Sequence, residues 1–401
     1  MGKKRQGILK NKYFLFWTRF FVEINAINAV IQLFYLKRGL NPSEILYLGI
    51  AWSVATLVFE IPTGYLADSI GRKKTIILGV ILNIIANLLM FVAYGFWPFA
   101  AITAILSLSF SCFSGTDDAI IYDSLREAGD EKSLLRISGK YLSAARVSKI
   151  FTPFIGAIIA ENLTSFQFNI LLFINAFSSF AALVTSARLV EPNRFVDVSE
   201  KETGIFRDSV ALIKNNPNLA KIILNKTLVF IGDFVFWKIY QPLLIGIGFS
   251  VFHLGILYLI FQSILTLVYW FPQKIKDKVG NLAIFRVVPF VALLCAIYVF
   301  LGTNKWLIYI SSMGILLLGS VRDPYFTEVV QNRLKSYNRA TTTSVFNFFK
   351  SIFDIPLLFI SGLLAAKDIN NVLYISILLF AVSVLFLQID KGDLAVRDKN
   401  H

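Results

Sequence analysis

Apolar runs of roughly 20 residues, the length needed to cross the hydrocarbon of a bilayer, recur from one end of this chain to the other. They lie near 13–37, 44–67, 74–95, 98–123, 137–160 and 166–188, and again near 219–245, 251–273, 282–301, 305–329, 341–366 and 370–389. Twelve runs use about 240 residues, which matches a chain of 401 residues that is 56% hydrophobic and only 16% charged. That composition excludes a soluble globular domain. The expected architecture is an all-α membrane protein with twelve transmembrane helices.

The formal net charge of +14 would raise the question of nucleic acid in a soluble chain. Here the basic residues sit mainly between the apolar runs, so they are read as a topology signal and no nucleic-acid partner is expected. The basic residues of both tails, of the long central connection and of alternate loops fall on one side. Lys37, Arg38, Lys305 and Lys367 fall on the other. Both termini are therefore expected in the cytoplasm, with the first run an uncleaved span, because Arg19 and Glu23 lie inside it and no small-residue cleavage site follows. Cys112 and Cys295 lie within apolar runs and the two histidines are His253 and His401, so neither disulfides nor metal-ligand spacing is indicated. No nucleophile–base constellation points to an enzyme, and no Gly-rich phosphate loop points to ATP-driven transport.

The polar stretch Glu191–Asn218 separates two sets of six runs. The expected organisation is an N-terminal bundle over 1–190, a cytoplasmic linker over 191–218, a C-terminal bundle over 219–390 and a cytoplasmic tail over 391–401. Shifting the sequence by about 209 residues brings landmarks of the two halves together, as in carriers built from duplicated bundles. Gln32 falls on Gln241, Gly39 on Gly248, Asp68 on Asp277 and Gly71 on Gly280. At a slightly smaller shift Arg136 falls on Arg339 and Pro153 on Pro356.

Between the second and third runs the chain reads F-E-I-P-T-G-Y-L-A-D-S-I-G-R-K-K from Phe59 to Lys74. The segment resembles the G-x-L-x-D-x-x-G-R-K signature of the major facilitator superfamily, at Gly64, Leu66, Asp68, Gly71, Arg72 and Lys73. Twelve spans, two pseudo-symmetric six-helix bundles and the linker extend the resemblance over essentially the whole chain. Gly64 is expected to admit a neighbouring helix closely, and Gly71 to turn the backbone between two helices. Asp68 needs donors, which a helix N-terminus supplies. The resemblance implies that this is the eleventh helix, starting near Asn338 to Thr343, and that Asp123 pairs with Arg72. Gly64, Asp68, Gly71, Arg72 and Asp123 then form a conformational latch.

Ionisable groups at membrane depth are expensive and usually meet a partner or face a cavity. In the first run Arg19 and Glu23 lie one turn apart, while Asn25, Asn28 and Gln32 form a separate polar stripe. In the fourth, Ser107, Ser111, Ser114, Asp118 and Tyr122 recur at helical spacing, with Asp117 about 100° away. Arg146 and Lys149 in the fifth run are natural counterions. The second half offers Asp233, Lys238 and Gln241, then Arg322 and Asp323, then Lys350 and Asp354, the last two on one helical face. An acid whose surroundings change with conformation can take up and release a proton. Asp118, Asp117 and Glu23 are the expected proton carriers, and the remaining groups are candidates for the solute cavity.

The expected function is secondary transport of a small organic solute by alternating access in the bacterial cytoplasmic membrane, by a monomer, with the proton gradient as energy source and no cofactor. The E-I-P-T-G-x-L-A-D segment looks most like export-type members, so proton-coupled efflux of the multidrug antiporter kind is the first expectation. Drug/proton antiporters carry G-P-x-x-G-G in the fifth span. This chain has T-P-F-I-G-A from Thr152 to Ala157, with Pro153 and Gly156 matching, which leaves direction open. The alternative is proton-coupled uptake of a small anionic or zwitterionic metabolite, for which the bases would supply donors. A third reading is a receptor or assembly subunit that keeps the fold without the transport cycle.

Overall fold

A computed structural model describes residues 3–130, 133–193, 216–331 and 339–394. Helix dominates throughout, and no strand occurs among the described residues. In the first half the helices are α1 (Lys3–Val22), a 3-10 helix (Ala26–Val30), α2 (Ile31–Lys37), α3 (Pro42–Ile70), α4 (Arg72–Leu89), α5 (Phe96–Phe113), α6 (Thr116–Ala128), α7 (Leu134–Ile159) and α8 (Ser165–Ala187). The second half has α9 (Pro217–Trp237), α10 (Tyr240–Gly246), α11 (Val251–Trp270), α12 (Pro272–Val279), α13 (Asn281–Leu301), α14 (Lys305–Val321), α15 (Asp323–Gln331), α16 (Arg339–Ala365), a 3-10 turn (Ile369–Asn371), α17 (Val372–Leu385) and α18 (Lys391–Leu394). Each of the twelve expected runs carries helix, and seven stretches among the described residues are long and apolar enough by themselves to cross a membrane.

Local sequence accounts for the helix starts. Asn41 accepts from the Glu44 N–H at 2.9 Å while Glu44 accepts from the Asn41 N–H at 2.8 Å, with Pro42 as the first helical residue of α3. Thr164 and Gln167 make the same reciprocal cap for α8. Asn216 caps α9, again followed by proline, and Asn304 caps α14. Such caps satisfy N–H groups that the helix itself leaves unpaired.

The chain divides into two compact units. The first comprises Met1–Glu44, Leu48–Val198 and Phe249–Gln262, so the start of α11 packs with the first half. A Cβ on Gly255 of α11 would lie 2.6 Å from the Ala157 side chain of α7. The core gathers Leu15, Ile76, Val80, Ile84, Phe113, Ile121 and Leu125. Polar contacts tie its helices together, as lipid-immersed helices require in the absence of a hydrophobic drive between them. The Thr18 and Thr185 hydroxyls meet at 2.9 Å, and Ser109 donates to the Gly79 carbonyl at 2.7 Å. Asn11 donates to the Val190 carbonyl and accepts from the Val190 N–H, at 2.8 and 2.9 Å.

The second unit comprises Ile45–Tyr47, Ser199–Gly248 and Ser263–His401, with a core around Leu219, Ile222, Ile284, Phe285, Tyr325, Phe326 and Ile389. Asn225 donates to the carbonyls of Ser383 and Leu387, at 3.2 and 2.9 Å. Like Asn11, it fastens the first helix of its half to the end of the last.

These asparagines refine the internal repeat. Asn11-Lys12 falls on Asn225-Lys226 at a shift of about 214, whereas Gln32 falls on Gln241 at about 209. The five-residue difference equals the 3-10 helix Ala26–Val30, an insertion confined to the first half. Gln32 and Gln241 are both buried and both stand second in the short helix after a break. Gly71 and Gly280 take φ of 108° and 79°, and Gly39 and Gly248 take 90° and 97°. Matched glycines thus make matched left-handed turns, where a side chain would be strained.

Candidate functional site

The breaks determine where the polar residues go. Helix is interrupted in the first, fourth, seventh and tenth runs: between Val22 and Ile31, at Ser114-Gly115, at Lys238-Ile239, and at Arg322. Interrupted helices leave backbone groups free of helical bonds, and in carriers such segments lie at the binding site. Asn25, Asn28, Ser114, Asp117, Asp118, Lys238 and Asp323 lie at or within a few residues of these breaks.

The interruptions also alter two expected faces. Asn25, Asn28 and Gln32 do not form one α-helical stripe, because Asn25 precedes a 3-10 segment in which Asn28 sits while Gln32 belongs to α2. The Asn25–Ala26 bend is held by Asn175 of α8, which accepts from the Ala26 N–H at 2.8 Å and donates to Asn25 Oδ1 at 3.3 Å. Gly156 lies directly against the Ala26 carbonyl, and a Cβ there would overlap it, giving the T-P-F-I-G-A segment a packing reason for its glycine. In the fourth run Gly115 adopts φ 73°, which resets the helical phase between α5 and α6. Ser107 and Ser111 are consequently buried, while Ser114, Asp118 and Tyr122 are exposed.

In the first unit the ionisable residues converge. Arg19 Nη2 lies 2.7 Å from Glu23 Oε1, and Lys149 Nζ lies 2.9 Å from Glu23 Oε2. Arg19 Nη1 stands 3.8 Å from Asp117 Oδ2, which also accepts from the Tyr141 hydroxyl at 2.8 Å. Arg146 is half-buried on the same helix as Lys149. Asp117, rather than Asp118, is the acid the cluster incorporates. Among the described residues the Asp118 side chain makes no hydrogen bond or ion pair, and its N–H donates to Asp117 Oδ1 at 2.9 Å. Asn28 donates to the Tyr258 hydroxyl of α11 at 2.5 Å.

In the second unit Lys226 Nζ lies 3.1 Å from Asp323 Oδ1, and the Tyr269 hydroxyl donates to Asp323 Oδ2 at 3.2 Å. Lys350 Nζ lies 3.3 Å from Asp354 Oδ2 one turn on, as their shared face predicts. Arg322 is fully buried, bonded to Asn225 and stacked on the Phe285 ring at 5.3 Å. Asp233 is buried against Gly319, and its Oδ1 has no hydrogen-bond partner. Lys238 rests over the rings of Phe234 and Trp237, and Gln241 donates to the Tyr240 hydroxyl at 3.2 Å. A cavity of about 200 Å³ opens among Lys226, Phe230, Asp323, Phe326 and Lys350.

At the signature loop, Arg72 forms an ion pair with the buried Asp123 carboxylate and donates to the Ala119 carbonyl at 2.9 Å. The N-terminus of α4 is closed by Glu191, whose two oxygens accept from the N–H groups of Arg72 and Lys73 at 2.8 Å each. The side chain of Asp68 and the residues Asn338–Thr343 expected to meet it lie outside the described side chains. No described atom lies within 4 Å of where a Cβ on Gly64 would stand.

Sequence reading missed Glu191, Tyr141, Asn175, Lys226 and Tyr258. Four of them act through contacts distant in the chain and carry no local mark. Lys226 was detectable from the repeated Asn-Lys pair.

The family described as Major Facilitator Superfamily matches residues 13–356. An uncharacterized MFS-type transporter of Methanocaldococcus jannaschii is 23% identical over 328 residues, covering 78% of this chain and 80% of its own. An uncharacterized transporter of Buchnera aphidicola is 26% identical over 205 residues, 50% of this chain and 45% of its own. Among solved structures, the nucleoside transporter NupG superposes with a TM-score of 0.72 at 14% identity, over 95% of this chain and 97% of its own. The D-xylose-proton symporter superposes with 0.70 at 11%, over 97% and 98%.

Proposed function

The chain belongs to the Major Facilitator Superfamily, and from that premise we propose that it is a proton-coupled secondary carrier of a small organic solute. The observation that carries this reading is the coincidence of four helix breaks with Asn25, Asn28, Asp117, Asp118, Lys238 and Asp323, drawn from both halves. Broken helices expose backbone dipoles and polar side chains where a solute and an ion can be held. In this reading the bundles over 1–190 and 219–390, joined by the linker 191–218, alternate in access around such a site as a monomer in the cytoplasmic membrane, with termini inside. Glu23 and Asp117 share Arg19, which a conformational change can withdraw, and Asp118 is exposed beside them, so each qualifies as a proton carrier. Export is the proposed direction, supported by the E-I-P-T-G-x-L-A-D segment and by Pro153 and Gly156. One observation favours uptake of a charged metabolite as the second reading: Lys226 and Lys350 line the cavity of the second unit.

Purified protein in liposomes with an enclosed pH dye, challenged by a compound panel under an imposed gradient, tests the proposal. Solute-evoked proton movement that disappears in Asp118→Asn or Glu23→Gln is the expected result. Solute movement indifferent to pH and to both substitutions rejects coupling. Net flux in intact cells separates export from uptake.

A further inference from the structure

Resting on the carrier reading, we propose that the cavity of the second unit is the solute's binding pocket and that it selects a small zwitterion with a flat apolar group, of the α-amino-acid type. Lys226, Asp323 and Lys350 are its charged walls, and Asp354, buried behind Lys350, completes two ion pairs. Lys226 is balanced by Asp323 at 3.1 Å and Lys350 by Asp354 at 3.3 Å. Each ammonium also lies over a ring, Lys226 at 4.3 Å from the centre of Phe326 and Lys350 at 4.2 Å from that of Phe230. Lys226, Asp323 and Lys350 remain about one-third exposed, so their charged ends are open to a ligand rather than sealed in the core.

Charge balance sets the ligand class. A purely anionic or purely cationic guest brings one uncompensated charge to two ion pairs whose four charges cancel once the buried Asp354 is included, and a partly desolvated lone charge is poorly tolerated. A zwitterion offers its carboxylate to the lysines and its ammonium to Asp323 while leaving the balance intact. Asp323 is held for this by Tyr269. Ile223, Phe230 and Phe326 supply the apolar wall. Size follows from volume: a cavity of about 150 Å³ holds benzene, so the 200 Å³ here has room for a small solute.

The test uses the full-length protein in lipid nanodiscs and calorimetric binding of three probes of one scaffold: phenylalanine, 3-phenylpropionate and 2-phenylethylamine. Phenylalanine is expected to bind at least tenfold more tightly than either singly charged analogue. Lys350→Met and Asp323→Asn are each expected to weaken it at least tenfold, while Lys350→Arg and Asp323→Glu, which keep the charges, retain the preference and control for folding. Equal or tighter binding of either analogue, or no binding of phenylalanine, overturns the inference. Phenylalanine binding without any solute or proton flux would leave this pocket standing and remove the carrier reading. Flux of another compound that is unchanged in Lys350→Met would do the reverse.

Discussion

Glu191, just past the end of α8, closes the N-terminus of α4 by accepting from the Arg72 and Lys73 N–H groups at 2.8 Å each. The carboxylate meets the positive end of the helix as well as two otherwise unpaired donors. It also sits 3.1 Å from where a Cβ on Gly71 would stand, so that glycine is required both by its φ of 108° and by its neighbour. Glu191→Ala is expected to cost about 1–2 kcal/mol, with Glu191→Gln losing less. Thermal melting of the purified variants, read against a surface Glu→Ala control, checks this; equal melting of Glu191→Ala and wild type would contradict it.

Arg72 and Asp123 form a pair in which the acid is almost wholly buried, at 2% side-chain exposure. Removing one partner strands the other's charge, so Arg72→Ala should destabilise by about 3–5 kcal/mol. Asp123→Asn in the same chain should restore part of that loss. A double-mutant cycle on melting temperatures measures the coupling, and additivity of the two changes would show that the pair is not energetically linked.

Glu23 and Asp118 should separate stability from transport. Glu23 receives both Arg19 and Lys149, so Glu23→Gln takes the ion-pair partner from Lys149, leaves Arg19 with the more distant Asp117 and lowers the melting temperature. Asp118 is exposed and its side chain makes no hydrogen bond or ion pair among the described residues, so Asp118→Asn should change stability by less than about 0.5 kcal/mol. A large drop in melting for Asp118→Asn would reveal a structural role for it.

Gly319 and Asp233 pack so tightly that a Cβ on the glycine would overlap the carboxyl group. Gly319→Ala should therefore cost about 1–3 kcal/mol by overpacking. The Asp233 Cβ itself would stand 2.5 Å from the new methyl, so Asp233→Gly, which removes that Cβ, should relieve the clash when combined with it. Asp233→Asn alone should preserve the fold, because the buried carboxyl oxygen Oδ1 has no hydrogen bond to lose. Melting of the single and double variants, with Asp233→Gly alone as the reference, decides, and failure of Asp233→Gly to rescue would place the strain elsewhere.

Features that depend only on neighbours along the chain were legible in the sequence. Hydropathy over roughly 20 residues marks a span regardless of its surroundings, and spacings of four residues placed Arg19 beside Glu23 and Lys350 beside Asp354. The glycines matched between the halves made matched turns for the same reason, since a left-handed φ is a local demand. Where the helices break was a different matter. A strict 3.6-residue period carries Ser107 through Tyr122 on one face, but Gly115 resets the phase, and the bend after Glu23 is held by Asn175, which accepts from the Ala26 N–H and donates to the Asn25 side chain from a helix about 150 residues away. Tertiary structure likewise chose Asp117 over Asp118 for the ionic cluster, brought Glu191 to α4 and joined Lys226 to Asp323. Local patterning determined that this chain is a bundle of membrane helices carrying charge, because burial in lipid is read one segment at a time. Which charges meet was decided only by packing, because an ion pair depends on distance in space and not on separation in sequence.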